Sequence, residues 1–145
     1  MGTLICADGS RYTGEWLGGK YHGKGDFYWA DKSRYSGDWY DGKMHGKGLY
    51  VYSDNSYYEG DLYNDSMHGQ GVYTFASGNV YTGSFQVGKI HGTGKFYRRD
   101  TGDYYIGDFR YGKKHGYGVE RNSNGDVIYS GQYSNGYRTD DKKVQ

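Results

Sequence analysis

The stretch YTGEWLGGKYHGKG, which begins at Tyr12, returns as YSGDWYDGKMHGKG at Tyr35, YEGDLYNDSMHGQG at Tyr58, YTGSFQVGKIHGTG at Tyr81 and YIGDFRYGKKHGYG at Tyr105. A partial sixth copy, YSGQYSNG, begins at Tyr129. The opening tyrosines are 23, 23, 23, 24 and 24 residues apart. A fixed period of this size restricts the chain to a repeat architecture, in which each unit buries its surface only against its neighbours.

The pattern inside a unit is that of strands. Tyr12, Gly14 and Trp16 alternate with Arg11, Thr13 and Glu15, so they share one face of a strand. A turn signal precedes each such strand: ADGS, ADKS, SDNS, ASGN, DTGD and SNGD. Before the turn runs a second alternating segment, as in Gly23, Gly25, Phe27 and Trp29, or Gly46, Gly48, Tyr50 and Tyr52. Each unit therefore reads as a β-hairpin, with the GKxHGxG segment as the connection to the next. The expected fold is all-β: a single-layer, elongated and twisted antiparallel sheet of about six consecutive hairpins. About twelve strands at ~4.8 Å each give a ribbon of roughly 55–60 Å. The repeat domain is expected over 1–137, leaving a polar tail or cap over 138–145.

A single layer without helices must cover its aromatics with something else. A ring on one strand can lie over the bare backbone of a cross-strand glycine. Tyr12, Gly14 and Trp16 supply this pattern, followed by Tyr35, Gly37 and Trp39, by Tyr58 and Gly60, by Tyr81, Gly83 and Phe85, and by Tyr105, Gly107 and Phe109. Composition agrees. Leu, Ile, Val and Phe total only 20 residues, whereas there are 20 tyrosines and 27 glycines, so the apolar surface is carried by rings. Aromatic content of 19% and a net charge of +1 argue against disorder. With no proline, collagen and Pro-rich linkers are excluded. Cys6 alone builds no disulfide framework. No apolar run reaches the roughly 20 residues of a bilayer span. The start MGTLIC has Cys6 where a myristoylation signal expects Ser or Thr, and reads as chance. These features set the expectation of a cytoplasmic protein.

The recurring residues resemble the MORN repeat, whose pattern is close to Y-x-G-x-W-x-x-G-x-x-H-G-x-G, from Tyr12 to about Gly136. Departures are Leu62 for the aromatic and Asp65 for the glycine in the third copy, and the missing His-Gly ending of the sixth. The resemblance implies a curved or twisted antiparallel sheet used for protein interaction, scaffolding and sometimes membrane or cytoskeletal attachment. It also allows that the chain is a module of a larger enzyme.

Candidate sites follow from repeat positions. His22, His45, His68, His91 and His115 fall at one position, two strands or roughly 10 Å apart, too far to share a metal ion. They are read as structural, with no metal and no cofactor expected. Every polar element recurs as an equivalent copy, whereas catalysis places unlike groups around one substrate, so no enzyme is expected. Lys20, Lys24, Lys43, Lys47, Lys89, Lys113 and Lys114 form a basic edge that could meet phosphoinositide membranes. Glu15, Asp38, Asp61 and Asp108 recur beside it and neutralise much of it. The near-zero net charge disfavours nucleic acid. The row Phe27, Trp29, Tyr50, Tyr52, Tyr73, Phe75 and Phe96 is aromatic and turns polar at Arg98, Glu120 and Asn122. It is read as a groove for a partner peptide or helix. Finally, Thr3 to Ala7 form an uncharged apolar edge strand, expected to pair two chains into a homodimer.

Overall fold

The computed structural model describes residues 1–139. They form thirteen strands: β1 (Gly2–Ile5), β2 (Arg11–Leu17), β3 (Lys20–Tyr28), β4 (Arg34–Tyr40), β5 (Lys43–Val51), β6 (Tyr57–Tyr63) and β7 (Ser66–Thr74), followed by β8 (Val80–Gln86), β9 (Lys89–Tyr97), β10 (Tyr104–Arg110), β11 (Lys113–Arg121), β12 (Val127–Ser134) and β13 (Tyr137–Arg138). They lie in one open sheet in strict sequence order. All pairings are antiparallel, so the fold is the expected one with thirteen strands rather than about twelve. Residues 140–145, most of the expected tail, lie outside the described residues.

The GKxHGxG segment is not a connector, as the sequence reading had it. Its glycine closes a two-residue turn, and the rest is already strand. The turns are Gly18–Gly19, Asp41–Gly42, Asn64–Asp65, Val87–Gly88, Tyr111–Gly112 and Asn135–Gly136, all with positive φ at both residues. That geometry matches the twist of flanking strands. The His-Gly dipeptide inside the strand is a β-bulge. Between the pairs Gly14↔Gly25 and Trp16↔Tyr21, β3 has three residues against one in β2, and Gly23 takes φ 65°. The same shift recurs in the four following repeats. A bulge leaves a backbone N–H without a ladder partner. Here the acidic residue of the preceding strand accepts it: Glu15 from Lys24, Asp38 from Lys47 at 3.0 Å and Asp61 from Gln70 at 3.0 Å. Asp65, which breaks the sequence pattern, keeps the turn geometry. Its N–H donates to the Met44 carbonyl at 3.0 Å, as Gly42 does to Tyr21 at 2.9 Å.

Two rows run across the whole sheet. Glycines pair in register through every strand from Gly2 to Gly131, by way of Gly14, Gly25, Gly37, Gly48, Gly60, Gly71, Gly83, Gly94, Gly107 and Gly118. Beside them Tyr12, Phe27, Tyr35, Tyr50, Tyr58, Tyr73, Tyr81, Phe96 and Tyr105 pair in the same way. The repeat-opening tyrosines from Tyr12 to Tyr105 are fully buried and lean over the glycines, where no Cβ would fit. Each phenol donates to the carbonyl three residues on, as Tyr12 to Glu15 at 2.7 Å and Tyr81 to Ser84 at 2.9 Å. That bond explains tyrosine rather than phenylalanine at this position, since a buried hydroxyl needs a partner.

Candidate functional site

The other members of the aromatic row, Phe27, Tyr50, Tyr73 and Phe96, stay half-buried, as do Trp29, Tyr52 and Phe75 beside them. Their rings touch in a continuous chain. Phe27 meets Trp29 at 4.5 Å between centroids, Trp29 meets Tyr50 at 5.2 Å, and Tyr50 meets Tyr52 at 4.6 Å. Tyr52 then meets Tyr73 at 5.7 Å, Tyr73 meets Phe75 at 4.7 Å, and Phe75 meets Phe96 at 5.8 Å. The structure thus brings all seven sequence-singled groove residues together on the face that carries the buried tyrosines. The chain of contacts crosses four repeats.

Beside it lie two adjoining cavities. One, of about 380 Å³, is lined by Tyr52, Met67, Tyr73, Phe75, Phe85 and Ile90 among others. The second, of about 300 Å³, is lined by Met44, Tyr50, Tyr52, Leu62 and Met67 among others. Tyr52 is common to both; burial pushes its phenol up to about 12, and among the described residues its hydroxyl bonds only the Met67 sulfur, 4.0 Å away. Sequence reasoning missed Met44, Met67 and Ile90. They occupy the position just before each histidine, and their 23-residue spacing was the signal available.

At the C-terminal end the aromatic row gives way to charge. Glu120 pairs with Tyr105, where the row would continue. Lys114 donates to it at 2.7 Å and Arg138 at 2.5 Å. Burial alone would raise the Glu120 carboxyl, but the two cations outweigh it and hold it at about 2. Arg138 also lies 4.8 Å over the Tyr129 ring, and Lys114 5.1 Å over that of Tyr105. A cavity of about 190 Å³ opens here between Phe96 and this cluster.

The lysine edge is divided. Lys24 is bound to Asp38, Lys47 to Asp61 at 2.5 Å and Lys20 to Asp41 at 3.2 Å. Lys114, at the pre-histidine position, lies over the tyrosine core instead of along the edge. Lys43, Lys89 and Lys113 have no ion pair among the described residues. Four histidines, His22, His45, His68 and His91, meet tyrosine rings at tilted angles on the same margin, as His22 with Tyr40 at 5.3 Å and His45 with Tyr63 at 5.1 Å. Nδ1 of His91 accepts the Tyr111 N–H at 3.3 Å, and Nδ1 of His68 that of Val87 at 3.5 Å. Among the described residues, no three His, Cys, Asp or Glu side chains converge as metal ligands. No helix among the described residues is long and apolar enough to cross a membrane. At the other end of the sheet β1 is bonded to β2 alone among the described residues, and Leu4 and Ile5 are exposed.

A search of curated proteins found no match. Among solved structures, the Drosophila melanogaster SAS-4 (dCPAP) TCP domain, in complex with a proline-rich motif of Ana2 (dSTIL), is 13% identical. The alignment covers 86% of this chain and 85% of that one at a TM-score of 0.30, too low to carry an argument. The model of the MORN repeat, in contrast, matches six times, at residues 12–34, 35–57, 58–80, 81–102, 105–127 and 129–139. With the tyrosine, glycine and His-Gly positions each accounted for in the sheet, the chain belongs to the MORN-repeat family.

Proposed function

We propose that this chain is a non-catalytic interaction and scaffold module that takes a partner segment along its aromatic groove. The observation that supports this reading is the chain of ring contacts from Phe27 to Phe96, flanked by cavities and only half-covered by the protein itself. Rigid aromatics that stay partly uncovered are the usual anchors of a binding surface.

The repeat spacing favours one kind of occupant. One repeat spans two strands, about 9.6 Å. Three residues of polyproline II rise about 9.3 Å, whereas seven residues of α-helix rise about 10.5 Å. Over the three steps from Phe27 to Phe96 the mismatch grows to roughly 1 Å for the extended segment and roughly 3 Å for the helix. An extended peptide with apolar residues at every third position therefore stays in step with the rings.

Selection from a displayed random-peptide library tests this. Wild type should yield ligands that survive 1 M salt and are lost with Tyr52→Ala/Phe75→Ala, provided circular dichroism shows the double variant folded. Ligands indifferent to that change refute the groove. The phosphoinositide alternative rests on Lys43, Lys89 and Lys113, and predicts vesicle binding that fades with salt. The homodimer alternative rests on the exposed β1 edge.

A further inference from the structure

We infer that the groove ends in a carboxylate-binding site, so that the partner segment carries an acidic group directly after its apolar stretch; this rests on the groove reading. Phe96 is the last ring of the aromatic chain and also lines the cavity of about 190 Å³ beyond it. A segment lying on the rings runs straight into that cavity. Among the described residues its lining carries three cations, Arg98, Lys114 and Arg138, against two carboxylates, Asp103 and Glu120.

The donors there are not exhausted. Among the described residues, Arg138 spends Nε and one terminal nitrogen on Glu120, at 3.0 and 2.5 Å, and also faces the Tyr133 hydroxyl, against the five N–H donors of a guanidinium. Lys114 spends one of its three protons on the same carboxylate. Arg98 is exposed and has no ion pair among the described residues. The surplus of one positive charge suits a monoanion. A phosphate dianion would exceed it and lie against Glu120 and Asp103, so the site is fitted to a carboxylate. Glu120 already shows the preference, since it occupies a ring position and is held there by the same cations.

Titration with sodium acetate at constant ionic strength, followed by arginine and lysine side-chain NMR, tests the site without any peptide. Saturable shifts at Arg98 and Lys114 are expected, weaker with inorganic phosphate at pH 7.5. Arg98→Gln, at an exposed position, should weaken acetate by on the order of tenfold, the usual worth of a charge-assisted hydrogen bond. Shifts that never saturate, or that are unchanged in Arg98→Gln, overturn the inference. Library peptides supply the second arm. Wild type should select an acidic residue at one end of the apolar stretch, and Arg98→Gln should lose that choice. Comparing amidated with free-acid peptides tells a side-chain carboxylate from a C-terminal one. Ligands that need Tyr52 and Phe75 yet show no acidic preference leave the groove standing and refute the carboxylate site. Ligands indifferent to Tyr52 and Phe75 refute the groove, and the acetate result then decides the site alone.

Discussion

Gly94→Ala tests the packing that holds the sheet together. Gly94 pairs with Gly83 on one side and Gly107 on the other, and its φ gives alanine no backbone difficulty. The objection is spatial: an added Cβ would stand 2.5 Å from Cε1 and Cζ of Tyr81, far inside contact distance. Tyr81 cannot yield easily. It is fully buried, it meets Phe85 at 5.2 Å and Phe109 at 5.1 Å, and its hydroxyl is bonded to the Ser84 carbonyl. If the ring shifts within its place the cost is that of overpacking, about 1–3 kcal/mol. If the ring is expelled, the loss approaches that of an aromatic-to-alanine change, about 3–5 kcal/mol. We expect about 3 kcal/mol, or a Tm lower by roughly 9 °C at ~3 °C per kcal/mol for a chain of this size. Gly112→Ala is the control. Gly112 has φ 84° but nothing within 4 Å, so only backbone strain of about 1 kcal/mol applies. Urea and thermal unfolding of both variants decide the matter. Equal losses would mean that the rings do not need the bare glycine backbone.

Val87 sits at φ 45° in a two-residue turn, a poor conformation for a β-branched residue. Val87→Asn should raise stability by about 1 kcal/mol in the same unfolding assay, because asparagine tolerates that region. Glu120, at about 2 in the folded chain against an ordinary 4.5, contributes stability that is complete above pH 4.5 and lost as pH falls toward 2. The acid limb of a stability–pH curve should therefore flatten in Glu120→Gln. Pairing of two chains through β1 predicts that Ile5→Lys shifts sedimentation from dimer to monomer at high micromolar concentration; wild type sedimenting as a monomer would refute it.

The repeat register made much of this molecule legible. The period gave the hairpins, and alternation put Phe27, Trp29, Tyr50, Tyr52, Tyr73, Phe75 and Phe96 on one face, where the structure brings them into contact. The GKxHGxG segment was misread because its turn residues are mixed. Gly-Gly and Asp-Gly are turn signals, but Val87–Gly88 and Tyr111–Gly112 are not, and the bulge at Gly23 and its equivalents looks from sequence like loop glycine. Asp38 and Asp61 read as neutralising charges; their second task, accepting an N–H freed by the bulge, depends on a backbone irregularity that sequence does not display. The charged end of the groove was seen only as a loss of aromatics. Its coherence comes from Arg138, which a long sequence separation hides from Glu120.

Chemical-shift mapping of a library-selected peptide on the wild-type chain tests the binding surface most directly. The groove account predicts saturable perturbations at Tyr52, Tyr73, Phe75 and Phe96 that are absent in Tyr52→Ala/Phe75→Ala. Perturbations confined to Lys43, Lys89 and Lys113, or to Ser36, Val72 and Thr82, which neighbour Tyr35, Tyr73 and Tyr81 along their strands and so lie on the opposite face, would contradict it.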